Sequence, residues 1–356
     1  MRILQLIDSL EAGGAERMAV NYANGLVDHV PFSGLVATRK EGPLKTQLHN
    51  SVHYLFLDRK STFDIKALLL LRDFVKKNQI SIIQAHSSSF LLAIFLKLVY
   101  PKIKIVWHDH YGNSEFLEKR KKVLLQFGSL FFYRIIVVNE LLKKWAIKNL
   151  FCKQVFYQPN FVLMDANKES IVLQGQIGKR ILCLANLRPQ KNHSMLLEIA
   201  KNIKFSHPEW TFHLIGKDFR DQYSADIHNQ IVSNGLENNV FIYGSSNAVA
   251  TAIQQSTIGV LTSISEGLPV SLLEYGYFGL PVIITAVGEI PKVINQKNGL
   301  LVPPKDKVRF QQALEDLIEN VDLRNSLGEQ LKKDIHLNYT KETVFKNFFA
   351  VLNNES

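Results

Sequence analysis

The sequence predicts an α/β protein built from two doubly wound parallel sheets, one in each half of the chain. Three observations carry that expectation. Short apolar runs alternate with longer segments of helical periodicity, the grammar of a parallel sheet covered on both faces. The pattern occurs twice, on either side of a polar, breaker-containing stretch at residues 165–178. At 356 residues the chain also exceeds a single core of roughly 100–200 residues.

In the first half, strands are expected at 2–7, 33–37, 52–57, 80–84, 103–107 and 135–138, with helices at 15–28, 64–77, 90–99 and 140–149. In the second half, strands are expected at 180–185, 211–215, 240–243, 258–261 and 281–284, and helices at 195–204, 223–232, 269–277, 310–320 and 322–334. The expected division is a first domain at 1–164, a linker at 165–178, a second domain at 179–338 and a terminal helix within 339–356. Two such sheets in succession would face a central cleft, since ligands of open parallel sheets bind beyond the carboxyl ends of the strands.

Composition narrows the function. With 46% apolar and 21% charged residues the chain reads as globular, not disordered. Its greasiest stretch, residues 90–100, is interrupted by Lys97 and falls short of the ~20 residues a membrane span needs. The opening run reaches Asp8 too soon for a leader and reads as a strand. Cys152 and Cys183 show no C-x-x-C spacing and are expected as reduced thiols of a cytoplasmic protein. The net charge of +10 lies entirely in the first half: 24 Lys and Arg against 14 Asp and Glu in residues 1–170, and 18 against 18 in 171–356. That asymmetry suits an anionic membrane surface or phosphorylated lipid, or is simply a basic solvated face. Nucleic acid is not expected, because no binding module and no regular basic–aromatic interleaving is present.

Five segments could carry chemistry. Residues 13–17, GGAER, follow the first strand; Gly13 and Gly14 would let a ligand approach the backbone, or form an ordinary turn. Residues 186–192, NLRPQKN, place Arg188 and Lys191 at a helix start, where cations oppose the helix dipole unless an anion binds. Residues 265–274, SEGLPVSLLE, set Glu266 before a helix opened by Gly267, Leu268 and Pro269, and Glu274 two turns inside it. A carboxylate among Leu272, Leu273 and Tyr275 needs donors, which a sugar or ribose diol supplies in pairs. Residues 108–112, HDHYG, bring His108 and His110 to one face of a strand end, with His86 at another strand end; spacing supplies no third metal ligand. Residues 118–122, EKRKK, run into a greasy segment that suits either a membrane-surface element or a helix with a basic solvated end.

Glu266 and Glu274 together resemble the E-x7-E signature of retaining glycosyltransferases, family four in particular. The resemblance extends through 7–17, Asp109, Pro159 and Asn160, 186–192, 266–281, 288–294 and 298–303, in the family's order. It implies two Rossmann-like domains in the arrangement called GT-B, with a nucleotide diphosphate sugar bound mainly by the second. It further implies Glu274 at the donor ribose, Glu266 and His108 near the transferred sugar, Lys191 at the diphosphate with Arg188, and Gly13 and Gly14 approaching the same region. The terminal helix is expected to pack on the first domain. UDP is the carrier the family uses most, ahead of GDP, and a metal is not expected: there is no D-x-D motif. One departure stands out. Relatives carry Gly-Arg where this chain has Ala185 and Asn186, and the arginine here comes two positions later, at Arg188. The expected activity is sugar transfer to a lipid-linked or oligosaccharide acceptor for a cell-surface polysaccharide, at the inner face of the cytoplasmic membrane. A nucleotide-sugar epimerase, a phosphorylase-like enzyme or a non-catalytic interaction module of the same fold are the alternatives.

Overall fold

The computed structural model describes residues 1–112, 114–163 and 170–353. Contacts divide the chain into two compact units: Met1–Leu163 with Val344–Ser356, and Met164–Thr343.

The first unit holds seven strands among the described residues: β1 (Arg2–Ser9), β2 (Phe32–Lys40), β3 (His53–Phe56), β4 (Ile82–His86), β5 (Lys104–Asp109), β6 (Arg134–Val137) and β7 (Val155–Tyr157). All pair in parallel, in the order β3-β2-β1-β4-β5-β6-β7. Its helices are α1 (Gly14–Leu26), α2 (Ile65–Lys77), α3 (Phe90–Val99), α4 (Val123–Gly128) and α5 (Glu140–Asn149). The main core lies between the sheet and α2, α3 and α5, with Trp107, Leu71 and Leu96 at its centre; α1 covers the other face through Ala19, Val20 and Ala23. This is the sheet burial that the continuous apolar runs imply.

The second unit repeats the design with β8 (Arg180–Leu184), β9 (Thr211–Ile215), β10 (Val240–Gly244), β11 (Ile258–Leu261), β12 (Val282–Thr285) and β13 (Leu300–Val302). Their order is β10-β9-β8-β11-β12-β13, again all parallel. Its helices are α6 (His193–Ser206), α7 (Gln222–Ser233), α8 (Val249–Gln254), α9 (Val270–Phe278), α10 (Ile290–Val293), α11 (Lys307–Glu319) and α12 (Val321–Asn338). Both units are thus Rossmann-like, doubly wound folds.

Each sheet reverses its winding once, between β1 and β4 in the first unit and between β8 and β11 in the second. Such a switch point is where open α/β sheets leave a crevice for ligand.

The final helix, α13 (Lys341–Asn353), belongs to the first unit for most of its length. Gln158 Nε2 donates to the Val344 carbonyl at 2.7 Å, and Phe345 and Phe348 pack around the buried Tyr22 ring. Gly25 on α1 makes room for this, since a Cβ there would lie 2.3 Å from the Phe345 ring. Of the stretch expected as a linker, residues 165–169 lie outside the described residues. Further on, Gln255 clasps the chain from both sides: its Nε2 donates to the Ile171 carbonyl (2.6 Å) and its Oε1 accepts from Leu173 N (3.2 Å).

The sequence pattern missed β7 and β13. Both are three-residue edge strands, too short for periodicity to register. It also ended β4 at residue 84; the strand continues to His86, which brings that histidine into register with His108 on β5.

Candidate functional site

In the second unit, the loops after β8 and β11 meet at the switch point. After β8 the chain runs through Ala185 to Arg188, makes a 3-10 turn at Pro189–Lys191, and enters α6 through Asn192, a left-handed residue with φ 54°. The loop after β11 is stitched to it. Ile264 N donates to the Gln190 carbonyl (2.8 Å), and Thr262 Oγ1 lies 3.0 and 3.1 Å from the carbonyls of Lys191 and Asn192. Lys191 Nζ forms an ion pair with Glu266 Oε1, which also accepts from Ser263 Oγ at 2.7 Å. The Lys191 side chain is 20% exposed and that of Glu266 8%, so this is a largely desolvated pair whose members depend on each other.

Behind Glu266 the backbone is fixed by Gly288. It has φ +57°, and a Cβ there would stand 2.2 Å from the Glu266 carbonyl oxygen and 2.6 Å from that of Gly267. Glu289 N donates to the same Gly267 carbonyl at 3.0 Å. Leu268 is buried, and Pro269 is the residue before α9. The helix itself is anchored by Tyr275, whose hydroxyl donates to the Leu182 carbonyl (3.0 Å) and accepts from Leu184 N (2.7 Å). Gly276 lets α12 close on the other side, where a Cβ would meet Ile335 at 2.4 Å. Glu274 directly precedes these two anchors and is itself buried.

Arg188 is exposed, and its guanidinium lies 4.3 Å from the centre of the Phe219 ring. Lys217 reaches the same ring at 5.2 Å, and its backbone N–H donates to Asn186 Oδ1 at 2.8 Å. Lys217 therefore joins the cations beside the switch point. The sequence reading passed over it, although its place directly after the β9 strand and Gly216 was a usable signal. Cys183, in the core of β8, is no nucleophile: burial pushes its thiol up to about 12.

The first unit has a different inventory at its own switch point. His86 ends β4, His108 is in β5 and His110 follows it; a ring nitrogen of each lies within 4.8 Å of the others. This supplies the third imidazole that sequence spacing could not, because it comes from a neighbouring strand. Gln5 Oε1 lies 2.7 Å from His86 Nε2 and can only accept, so that nitrogen carries the proton. His86 Nδ1 is then an acceptor for His110 Nε2 at 3.0 Å. His108 Nδ1 lies 2.8 Å from Gln84 Nε2, and its buried Nε2 has no hydrogen-bond partner among the described residues. Burial lowers the pKa of His86 and His108 well below the ordinary histidine value, and takes that of His110 down to about 3. The cluster is therefore uncharged near neutrality.

Beside it, Asp109 and Arg120 form a buried two-pronged ion pair at 2.7 and 2.8 Å. Gly13 precedes α1 with extended backbone (φ −162°), so neither it nor Gly14 is required for a left-handed turn; a Cβ on Gly14 would meet nothing within 4 Å.

Helix caps distinguish both switch points from the rest of the fold. Among the helices of nine residues or more that precede α13, α2, α5, α7, α11 and α12 begin with an Asp or Asn whose side chain caps the first turn. The N-cap residues of α1, α3, α6 and α9 make no such bond, and these four follow β1, β4, β8 and β11. At α6 the first amide, His193 N–H, donates to the Tyr223 hydroxyl at 2.9 Å; amides left uncapped at a helix start are donors available to an anion.

The second unit thus offers helix starts, cations and carboxylates, a composition suited to a phosphorylated, polyhydroxylated ligand; the first offers neutral imidazoles. Matches to glycosyltransferase models in both halves, with relatives along the whole chain, make the protein a glycosyltransferase of the GT-B fold. The model described as Glycosyltransferase Family 4 matches residues 12–162, and that described as Glycosyl transferases group 1 matches residues 169–334. The chain is 26% identical over 335 residues to the UDP-Gal:alpha-D-GlcNAc-diphosphoundecaprenol alpha-1,3-galactosyltransferase of Escherichia coli, covering 84% of each chain. It is 22% identical to the amylovoran biosynthesis glycosyltransferase AmsD of Erwinia amylovora, over 99% of both. Among solved structures, HepE of Anabaena in complex with UDP and glucose superposes with a TM-score of 0.83 at 17% identity, over 99% of this chain and 100% of that one.

Proposed function

We propose that the protein is a retaining glycosyltransferase that moves a sugar from a UDP-sugar to a lipid-linked or oligosaccharide acceptor during synthesis of a cell-surface polysaccharide. The observation that carries this reading is the Lys191–Glu266 pair at the second unit's switch point, braced by Ser263 and Gly288 and followed by the buried Glu274.

In this reading the diphosphate lies at the starts of α6 and α9, held by Lys191, with Arg188 and Lys217 as outer cations. Glu274 accepts hydrogen bonds from the ribose diol. Glu266, turned by Lys191 and Ser263, orients the transferred sugar together with Gly267, Leu268 and Pro269. His108 offers its buried Nε2 to a sugar hydroxyl, and Gly14 leaves room for a ligand to reach the first unit's backbone. As the bond from sugar to phosphate breaks, negative charge grows on the departing nucleotide, and fixed donors stabilise it at little reorganisation cost. The acceptor hydroxyl attacks on the face the nucleotide leaves, with the departing phosphate taking its proton, so configuration is retained without a covalent intermediate. Mass spectrometry during turnover tests this: a trapped glycosyl-enzyme would contradict it. We assign no metal to the step; activity lost on EDTA treatment and restored by Mg²⁺ or Mn²⁺ would overturn that assignment.

The acceptor is inferred from the E. coli relative, whose name gives a diphosphoundecaprenol-linked substrate. The basic first unit is then the side that faces an anionic membrane at the cytoplasmic inner face. Among the described residues no helix is long and apolar enough to cross a membrane, which suits a peripheral arrangement. Incubation with UDP-sugars and product analysis tests the whole reading: a glycosylated acceptor with UDP release is expected. An isomerised nucleotide sugar would indicate an epimerase, a sugar phosphate a phosphorylase-like enzyme, and no turnover an interaction module.

A further inference from the structure

Helix α4 presents apolar side chains to solvent. Leu125 and Gly128 face inward, the latter against Phe90 and Ile94. On the outside Val123, Leu124 and Phe127 are 66%, 58% and 60% exposed, and Leu130, in the 3-10 turn that follows, 64%. Phe151, 48% exposed, extends the patch: its ring is 6.4 Å from that of Phe127, and its backbone N–H donates to Ser129 Oγ at 2.9 Å. A surface helix ordinarily turns its polar side outward, so the reversal calls for an occupant.

What borders the patch identifies the occupant. Next to α4 is a cleft of about 440 Å³ whose lining includes Lys122, Lys144 and Lys148 with Trp145 and a single acid, Glu118. Arg120 also lines it but is committed to Asp109. Lys122 reaches Asn149 Oδ1 at 3.2 Å, which ties the start of α4 to the end of α5. Lys144 and Lys148 are one helical turn apart on α5, like charges that repel unless an anion bridges them. Lys119 and Lys121, sequence neighbours of Arg120 and Lys122, are exposed as well. Apolar side chains beside clustered lysines match the interface of an anionic bilayer, where the first enter the acyl boundary and the second meet phosphate headgroups. A second copy of the chain fits less well, because it would bring the same lysines face to face.

We propose that α4, the Leu130 turn and Phe151 form the surface by which the first unit docks on an anionic membrane, with the Lys122–Lys144–Lys148 cleft receiving a lipid phosphate. The proposal rests on the membrane-facing part of the reading above and adds the place and the ligand chemistry.

Flotation of the full chain with phosphatidylcholine vesicles, with and without 30% phosphatidylglycerol, tests it. Binding to the anionic vesicles alone is expected. Lys144→Ala/Lys148→Ala should weaken it about 25-fold, at roughly fivefold per lysine. Leu124→Ser/Phe127→Ser should weaken it at least tenfold. Neither pair should change UDP release from a UDP-sugar in solution, and thermal melts of each variant confirm folding. Equal flotation with neutral vesicles, no flotation, or an unaffected Leu124/Phe127 variant would overturn the proposal. So would a dimer in analytical ultracentrifugation that Leu124→Ser/Phe127→Ser dissolves, which would assign the patch to self-association. Inorganic phosphate should displace the protein from vesicles no better than chloride of equal ionic strength; stronger displacement would show a site for free phosphate instead. UDP release separates the two readings: turnover without vesicle binding removes only the docking surface, and vesicle binding without turnover removes only the transferase.

Discussion

At the carboxyl ends of β8 and β11 the second unit gathers Lys191, Glu266 and, inside α9, Glu274; at the ends of β4 and β5 the first unit gathers His86, His108 and His110. The topology around the two places is the same, four strands ordered 3-2-1-4 and helices whose N-cap residue makes no side-chain cap bond. The chemistry differs. One unit pairs buried opposite charges, and the other buries imidazoles kept neutral by desolvation. The winding of each sheet fixes where its crevice lies, and the side chains at the strand ends decide what chemistry it offers. On the proposed reading a charged diphosphate with its ribose goes to the second unit, and neutral sugar hydroxyls suit the first.

The contrast can be broken most severely at Lys191. Lys191→Met should lower kcat/KM by about 10²–10³, the usual loss when a fixed donor to developing charge is removed (~3–4 kcal/mol). It should also destabilise the fold by leaving Glu266 buried without its cation. Adding Glu266→Gln should restore stability, read by chemical denaturation, without restoring activity. Glu274→Gln comes next: with the ribose contact weakened, donor KM should rise about 10–100-fold, corresponding to ~1.5–3 kcal/mol for hydrogen bonds to a charged group, while kcat changes less. Steady-state kinetics with varied donor checks this. Gly288→Ala should displace the Glu266 loop, costing about 1–2 kcal/mol of stability together with part of the activity, since φ there is +57° and the new methyl meets the Glu266 carbonyl.

The smallest effect sharpens the first unit's side of the contrast. The folded pKa of each clustered histidine lies below its ordinary value of about 6.5, so between the two the unfolded chain binds protons that the folded chain does not. Their contribution is fully present above pH 6.5 and is lost as pH falls toward 3, at about 1.4 kcal/mol per histidine per pH unit. His193 and His213, pushed down to about 4 in the second unit, add to the same acid limb. Denaturation at pH 7.5 and 5.5 should show a smaller acid loss for His110→Asn than for the parent chain, by about 1.4 kcal/mol.

The two sites were not equally legible in the sequence. Glu266 and Glu274 stand eight residues apart on one strand–loop–helix segment, and a local pattern suffices to find them. The partnership of Lys191 with Glu266 spans 75 residues, and spacing alone cannot reveal it. The histidine cluster was half visible: His108 and His110 share a segment, whereas His86 joins only because β4 runs two residues further than its apolar pattern and pairs in register with β5. Lys217 carried only a weak local signal, its place just after β9 and Gly216; the Phe219 ring it shares with Arg188 is a tertiary contact between β8 and β9 loops. Long buried strands and capped helices were read correctly, and the short edge strands β7 and β13 were not, since three residues carry no period.

The central claim is that the nucleotide part of the donor seats at the second unit's switch point. Hydrogen–deuterium exchange of the full chain with and without UDP tests it most directly. The account predicts protection concentrated in residues 186–192 and 262–274, absent in Lys191→Met at the same UDP concentration. Protection confined to residues 82–110 of the first unit, or unchanged by the Lys191 substitution, would contradict it.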